Sequence, residues 1–183
     1  MLTISFDILY QKWSFSVKKL APIFTIFLII AIIIIVAVST SKKEQLISVY
    51  EKNLEKKPIK ITPNKYVDIE CSMTIKTKNH AAQVISPSGK TWFFDDMGCL
   101  IKWLEDKKFK KEAVLWTYVE DTNRWIDAKK AWYVLTDKTP MNYGFGAREH
   151  RVKDAVNFEK MQLKMLRGEN LTDPKLRKKL LEL

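Results

Sequence analysis

The sequence predicts an α+β fold, with two small strand–strand–helix units in one domain behind a single transmembrane helix. Three observations predict it. An uncharged apolar run fills 20–38 (LAPIFTIFLIIAIIIIVAV). After a polar gap, period-two alternation takes over at Tyr66–Ile75 (YVDIECSMTI), the mark of a half-buried strand. Segments of helical period then come after pairs of extended segments with no long crossover between them, which favours α+β over a parallel α/β sheet.

In chain order, residues 1–19 are a short N-terminal tail. Residues 20–38 form the membrane anchor, because a helix of that length matches the hydrocarbon core of a bilayer and has no polar face to turn to water. The run is longer than the usual apolar region of a cleaved signal peptide, and an uncleaved signal anchor is favoured. Lysines flank it on both sides (Lys12, Lys18 and Lys19 before; Lys42, Lys43, Lys52, Lys56 and Lys57 after). Because large domains translocate largely regardless of charge, these lysines leave the orientation open.

Residues 39–65 read as a stalk. Leu46, Val49, Tyr50 and Leu54 recur at helical spacing, and Pro58 and Pro63 break the pattern beyond Leu54. Residues 66–170 form the domain. In the strand at Tyr66–Ile75, Val67, Ile69, Cys71, Met73 and Ile75 share one face, and Asp68, Glu70, Ser72 and Thr74 the other. Ala81–Ser86 and Thr91–Asp95 flank Pro87-Ser88-Gly89-Lys90 and form a hairpin. Asp96 caps a helix beginning near Met97, with Leu100, Ile101 and Leu104 on its apolar face. A strand at Val114–Val119 completes the first unit. The second has extended segments at Trp125–Ala128 and Ala131–Leu135, a glycine-containing strand or turn at Pro140–Ala147, and a helix from Glu149 to about Arg167. Residues 171–183 form a last basic amphipathic helix, with Pro174 suited to its first turn.

Composition narrows the function. The chain has 183 residues, 29% charged and 46% hydrophobic, with a formal net charge of +11. The lysines are scattered in pairs, and no zinc-finger spacing, helix-turn-helix signal or RNP-like motif accompanies them, so nucleic acid is not an expected partner. No phosphate loop, nucleophile elbow or zinc-hydrolase helix is present, and no enzyme activity is expected.

The sulfur residues carry the chemistry. Thiolate and thioether are the soft donors that Cu(I) prefers, and on one strand Cys71 and Met73 leave the same face. Cys99 opens the first helix beside Met97, and Met141 lies in the glycine-containing segment. Two other readings stay open: Cys71 and Met73 as ordinary core residues, and a structural Cys71–Cys99 disulfide in an oxidising compartment. His80 reads as a surface or loop histidine. Zinc is disfavoured, since the two cysteines and two histidines lack tight paired spacing.

Taken in succession, Cys71-Ser-Met73, Ala82-Gln83, Phe94-Asp95-Asp96, Trp125-Ile126-Asp127-Ala128, Ala131-Trp132-Tyr133-Val134, Pro140-Met141 and Tyr143-Gly144-Phe145-Gly146 resemble the NosL family of copper-delivery proteins across most of the domain. The resemblance implies an extracytoplasmic Cu(I)-binding accessory protein built of two small α+β units, supplying copper for assembly of nitrous oxide reductase or a related copper enzyme. It implies that enzyme, or its assembly transporter, as partner. Cys71 and Met73 match the family's Cys-x-Met element and become the first ligand candidates. Met141 matches the later Pro-Met element. Cys99 departs from the pattern and either adds a ligand or closes a disulfide with Cys71. The anchor departs too, since family members are commonly lipoproteins. The resemblance places the domain on the periplasmic side of the inner membrane.

Overall fold

The computed structural model describes residues 22–36, 38–39 and 46–181. The chain divides into two compact units, Met1–Glu44 and Gln45–Leu183.

In the first unit the described residues 22–36 and 38–39 are helical and exposed. Among the described residues no helix is long and apolar enough to cross a membrane. The expected 20–38 span is not found as such: Leu20, Ala21 and Ala37 lie outside the described residues, as does the whole tail 1–19.

The second unit is mixed α and β, with antiparallel sheets. Its elements are β1 (Val49–Tyr50), β2 (Ala82–Ile85), β3 (Thr91–Phe94), α1 (Met97–Glu105), β4 (Val114–Val119), β5 (Arg124–Asp127), a 3-10 turn Ala128–Lys130, β6 (Trp132–Val134), β7 (Gly146–Arg148), α2 (Phe158–Leu166) and α3 (Pro174–Leu180). One sheet runs β1-β3-β2-β4-β5; the other pairs β6 with β7.

The expected hairpin is β2–β3, in register Ala82 to Phe94 and Ile85 to Thr91. Its turn closes through Gly89 N–H on Ser86 O at 3.0 Å. Gly89 has φ +82°, and a Cβ there would sit 2.9 Å from the Asn53 carbonyl carbon, so both the conformation and the close approach require glycine. All four β2 residues are buried, because the sheet is covered on both faces. Ala82, Val84, Phe94 and Leu115 face the main core with Leu100, Ile101 and Leu104 of α1 and Phe158, Met161 and Met165 of α2. Phe93 faces a smaller core of Ile61, Tyr66, Ile75 and Ala81.

Three elements differ from the sequence expectation, each because hydrogen bonds to groups distant in the chain override periodicity. The stalk expected over 39–65, with helical spacing at Leu46, Val49, Tyr50 and Leu54, instead supplies the edge strand β1, paired with Thr91 and Trp92. Gln83, buried in the sheet, fixes it further: Gln83 Oε1 accepts from Ile59 N–H at 2.9 Å, and Gln83 Nε2 donates to Ile59 O at 2.7 Å. The helix expected from Glu149 starts only at Phe158, capped by Asn157. The Glu149 and His150 N–H groups are taken by the Asp121 carboxylate, and Val156 pairs with Tyr133 in both directions. The third difference forms the candidate site. At the C-terminus Asp173 caps α3 with Pro174 at its start, but no α3 residue is buried, and Leu183 lies outside the described residues.

Candidate metal centre

The expected strand Tyr66–Ile75 folds back on itself. Ile75 N–H reaches Tyr66 O at 2.8 Å, and Asp68 N–H reaches Met73 O at 2.8 Å. Val67 bridges Thr74. The reversal between them is built by Asp68, expected to face water and in fact fully buried. Its Oδ1 accepts from Glu70 N–H at 2.7 Å and Cys71 N–H at 3.0 Å, an Asx turn of the kind that competes with strand pairing. Ser72 completes the turn at φ 62°. Cys71 and Met73 therefore sit on a tight turn, not on one face of a strand.

Asp68 also ties this turn to the end of β3, where its Oδ2 accepts from Asp95 N–H at 2.9 Å. Asp96, next in the chain, caps α1 by accepting from Gly98 N–H at 2.8 Å. Its second oxygen accepts from Met141 N–H at 3.1 Å. One acidic pair thus joins the Cys71 turn, the first turn of α1 with Cys99, and the segment with Met141. Gly98 lets Tyr143 close over that turn: a Cβ there would meet the Tyr143 ring at 2.2 Å.

The result is a cluster in which ligand atoms of Asp68, Cys71, Asp95 and Cys99 all lie within 4.8 Å of one another. Both cysteines are free thiols, Cys99 buried and Cys71 half-buried. Cys71 Sγ lies 3.8 Å from Asp95 Oδ1. Burial pushes the Cys71 thiol up to about 11, with the Asp68 and Asp95 carboxylates adding to the effect and the Met73 N–H opposing it. Cys99 is pushed up further, by burial first and then by the charges of Asp68 and Cys71. Burial, together with a hydrogen bond to Asp68 and its charge, raises the Asp95 carboxyl to about 8. Without a cation the two thiols and the Asp95 carboxyl therefore keep their protons near neutrality; a cation between the sulfurs reverses that balance.

The sulfurs fit such a cation. Two metal–sulfur bonds of about 2.3 Å bridge sulfurs up to about 4.6 Å apart, close to the 4.8 Å that bounds the separation of this pair. Met73 is 37% exposed and stands with Asp95 on a cleft of about 510 Å³ that also contains Lys76, Asn79 and Pro140. Met141 is half-buried against the core. The structure thus brings Cys71 and Cys99 together, sets Met73 at the mouth, and moors Met141 to the same helix cap.

The sequence reading missed Asp68 and Asp95. The available signal was the Asp95-Asp96 doublet, in which one carboxylate suffices as the helix cap. His80 is largely buried, with Nε2 3.6 Å from Glu120 Oε1 and Nδ1 without a partner. It also groups with Glu120 and Asp137. There Arg148 Nη2, 2.7 Å from Asp137 and 3.8 Å from Glu120, already fills the cation's role.

No family model matches the chain, and no curated protein does. Among solved structures it is similar to the crystal structure of the copper chaperone NosL from Shewanella denitrificans, with a TM-score of 0.46 and 16% identity, over 56% of this chain and 94% of that one. This is a distant likeness in fold, and it fixes neither an activity nor the residues that act.

Proposed function

We propose that the domain is a Cu(I) carrier, holding the ion between Cys71 and Cys99 and exchanging it at the exposed Met73. The observation that carries this reading is the pair of free cysteine sulfurs, together with two aspartates, within 4.8 Å of one another. Soft thiolates select Cu(I), while Asp68 already accepts three backbone N–H groups and acts as the positioning carboxylate. Cys99 anchors the ion inside, Cys71 is half-buried, and Met73 faces the cleft, where an incoming donor can displace it. Met141 is the reserve thioether. Copper is cargo here, and the protein is not an enzyme.

The sequence resemblance to the NosL family extends the proposal. The chain is held at the inner membrane by 20–38, faces the periplasm, and delivers copper for assembly of nitrous oxide reductase or a related copper enzyme. Cu(I) titration of the reduced protein, with Cys71→Ala and Cys99→Ala measured separately, tests the binding. Stoichiometric binding lost in both variants supports it, and unchanged binding in either refutes the two-sulfur site. The same proximity of the sulfurs supports a second reading, a membrane-anchored interaction module with a Cys71–Cys99 disulfide and no metal. Mass measurement after thiol alkylation of the protein unfolded in denaturant without reductant separates the two: two alkylated thiols favour the carrier, and none favours the module.

A further inference from the structure

Three clefts meet at the exposed loop 76–79. The largest, about 670 Å³, is walled by Tyr118 and Trp125 and rimmed by Lys60, Lys78 and Arg124. The second is the cleft of Met73, Lys76 and Asp95. The third, about 480 Å³, contains His80, Lys138 and Pro140. Thr77 and Asn79 line all three, so one surface runs without a break from the Cys71 turn to the aromatic cleft.

Its charge has one sign. Arg124 pairs with Glu149, but among the described residues no carboxylate pairs with the Nζ of Lys60, Lys76, Lys78 or Lys138. Lys78 Nζ instead lies 4.7 Å from the Tyr118 ring centroid. The one acidic side chain lining the three clefts is Asp95, and it is buried. The aromatic rings form a floor: Tyr118 is buried and Trp125 half-buried, 5.6 Å apart and edge to face.

We propose that this surface docks the protein that receives the metal, through an acidic patch of that partner which sets an aromatic or aliphatic side chain into the Tyr118–Trp125 cleft. The inference rests on the carrier reading above. Ligand exchange requires the acceptor's donor atoms to reach Met73 and Cys71, and the cationic surface beginning at that mouth orients an acidic partner for it. Complementary charge speeds and registers such encounters, while an anchor side chain in an apolar pocket supplies most of the affinity. An anionic lipid surface fits less well. Lipid insertion needs apolar side chains that protrude from a basic face, and here they are recessed.

The test uses the full metal-free chain in non-ionic detergent and a short synthetic peptide in which glutamates flank one phenylalanine, monitored by backbone amide NMR. Shifts should concentrate at Thr77, Asn79, Tyr118 and Trp125. Lys60→Glu with Lys78→Glu should weaken binding on the order of tenfold, and so should alanine in place of the phenylalanine. Lys175→Glu with Lys178→Glu, on α3, should leave it within about twofold. Equal binding of a lysine-flanked peptide, equal loss in the α3 variant, or displacement of the peptide by phosphatidylglycerol carried in mixed micelles of the same detergent and acting at the same amides would overturn the proposal. Because no metal is present, such a failure leaves Cu(I) binding untouched. The proposal further requires that the Lys60/Lys78 variant keep its Cu(I) affinity while losing copper more slowly to the anionic aromatic chelator bathocuproine disulfonate. An unchanged rate counts against it.

Discussion

Replacing Asp68 by alanine should cost the domain much of its stability, and the structure sets the size. The carboxylate is fully buried and accepts from Glu70, Cys71 and Asp95 N–H at 2.7, 3.0 and 2.9 Å. The variant leaves three donors without an acceptor. The Asp95 N–H is in a buried setting, where an unsatisfied group costs about 1–3 kcal/mol; the other two are partly reachable by water and cost about 0.5–1.5 kcal/mol each. Against that stands partial rehydration of the freed N–H groups. The net loss should be about 2–4 kcal/mol, a large share of the roughly 5–15 kcal/mol typical of a domain. Urea unfolding monitored by circular dichroism should show the midpoint falling by about 1–2 M with an unchanged slope. Asp68→Asn keeps one carbonyl acceptor but sets an NH2 group against a neighbouring N–H, and should fall between the two. A loss in Asp68→Ala below about 0.5 kcal/mol, the range of ordinary surface changes, would refute the claim that this carboxylate builds the Cys71 turn.

Other consequences are measurable. Gly98→Ala puts a methyl 2.2 Å from the Tyr143 ring; thermal unfolding should show a loss of about 1–3 kcal/mol, with none of the usual helical gain. For pH, Asp95 titrates at about 8 folded against 3.8 as a free side chain. The folded state therefore favours the neutral acid. Its contribution to stability is complete below pH 3.8 and is lost as pH rises through 8; urea midpoints of the metal-free protein should show that trend, flattened in Asp95→Asn. Because Cys71 is half-buried with its thiol raised to about 11 and Cys99 is buried and raised further, iodoacetamide at neutral pH should modify Cys71 slowly and Cys99 more slowly still, and Cu(I) should protect both. Since both thiols must lose a proton to bind, log K for Cu(I) should rise by about two per pH unit across neutrality.

Local chemistry made parts of the fold legible. The β2–β3 hairpin was readable from Pro87-Ser88-Gly89 between alternating runs, and α1 from Asp96 ahead of Leu100, Ile101 and Leu104. In each case cap, turn and periodicity agreed. Where they conflicted, the alternation misled. Tyr66–Ile75 alternates well, yet one buried aspartate holding its own turn folds it in half. Val49 and Tyr50 fit a helix, yet Thr91 and Trp92 needed an edge partner, and that demand lies far downstream in the chain. The candidate site divides the same way. Its sulfurs were visible as residue types, with Cys71 and Cys99 both named. Their meeting depends on Asp68 bonding to Asp95 across the fold, a tertiary pairing that no local pattern announces. Asp95 itself was masked by its neighbour's role as the cap.

The carrier reading is tested most directly by Cu(I) competition titration of the full reduced chain against a chelator of known affinity, alongside Cys71→Ser, Cys99→Ser and Met73→Leu. One ion per chain is expected, with both cysteine variants losing affinity by at least about a hundredfold, on the order of 3 kcal/mol, and Met73→Leu chiefly speeding release. Tighter binding of Zn(II) than of Cu(I), or full Cu(I) affinity in Cys99→Ser, would contradict it.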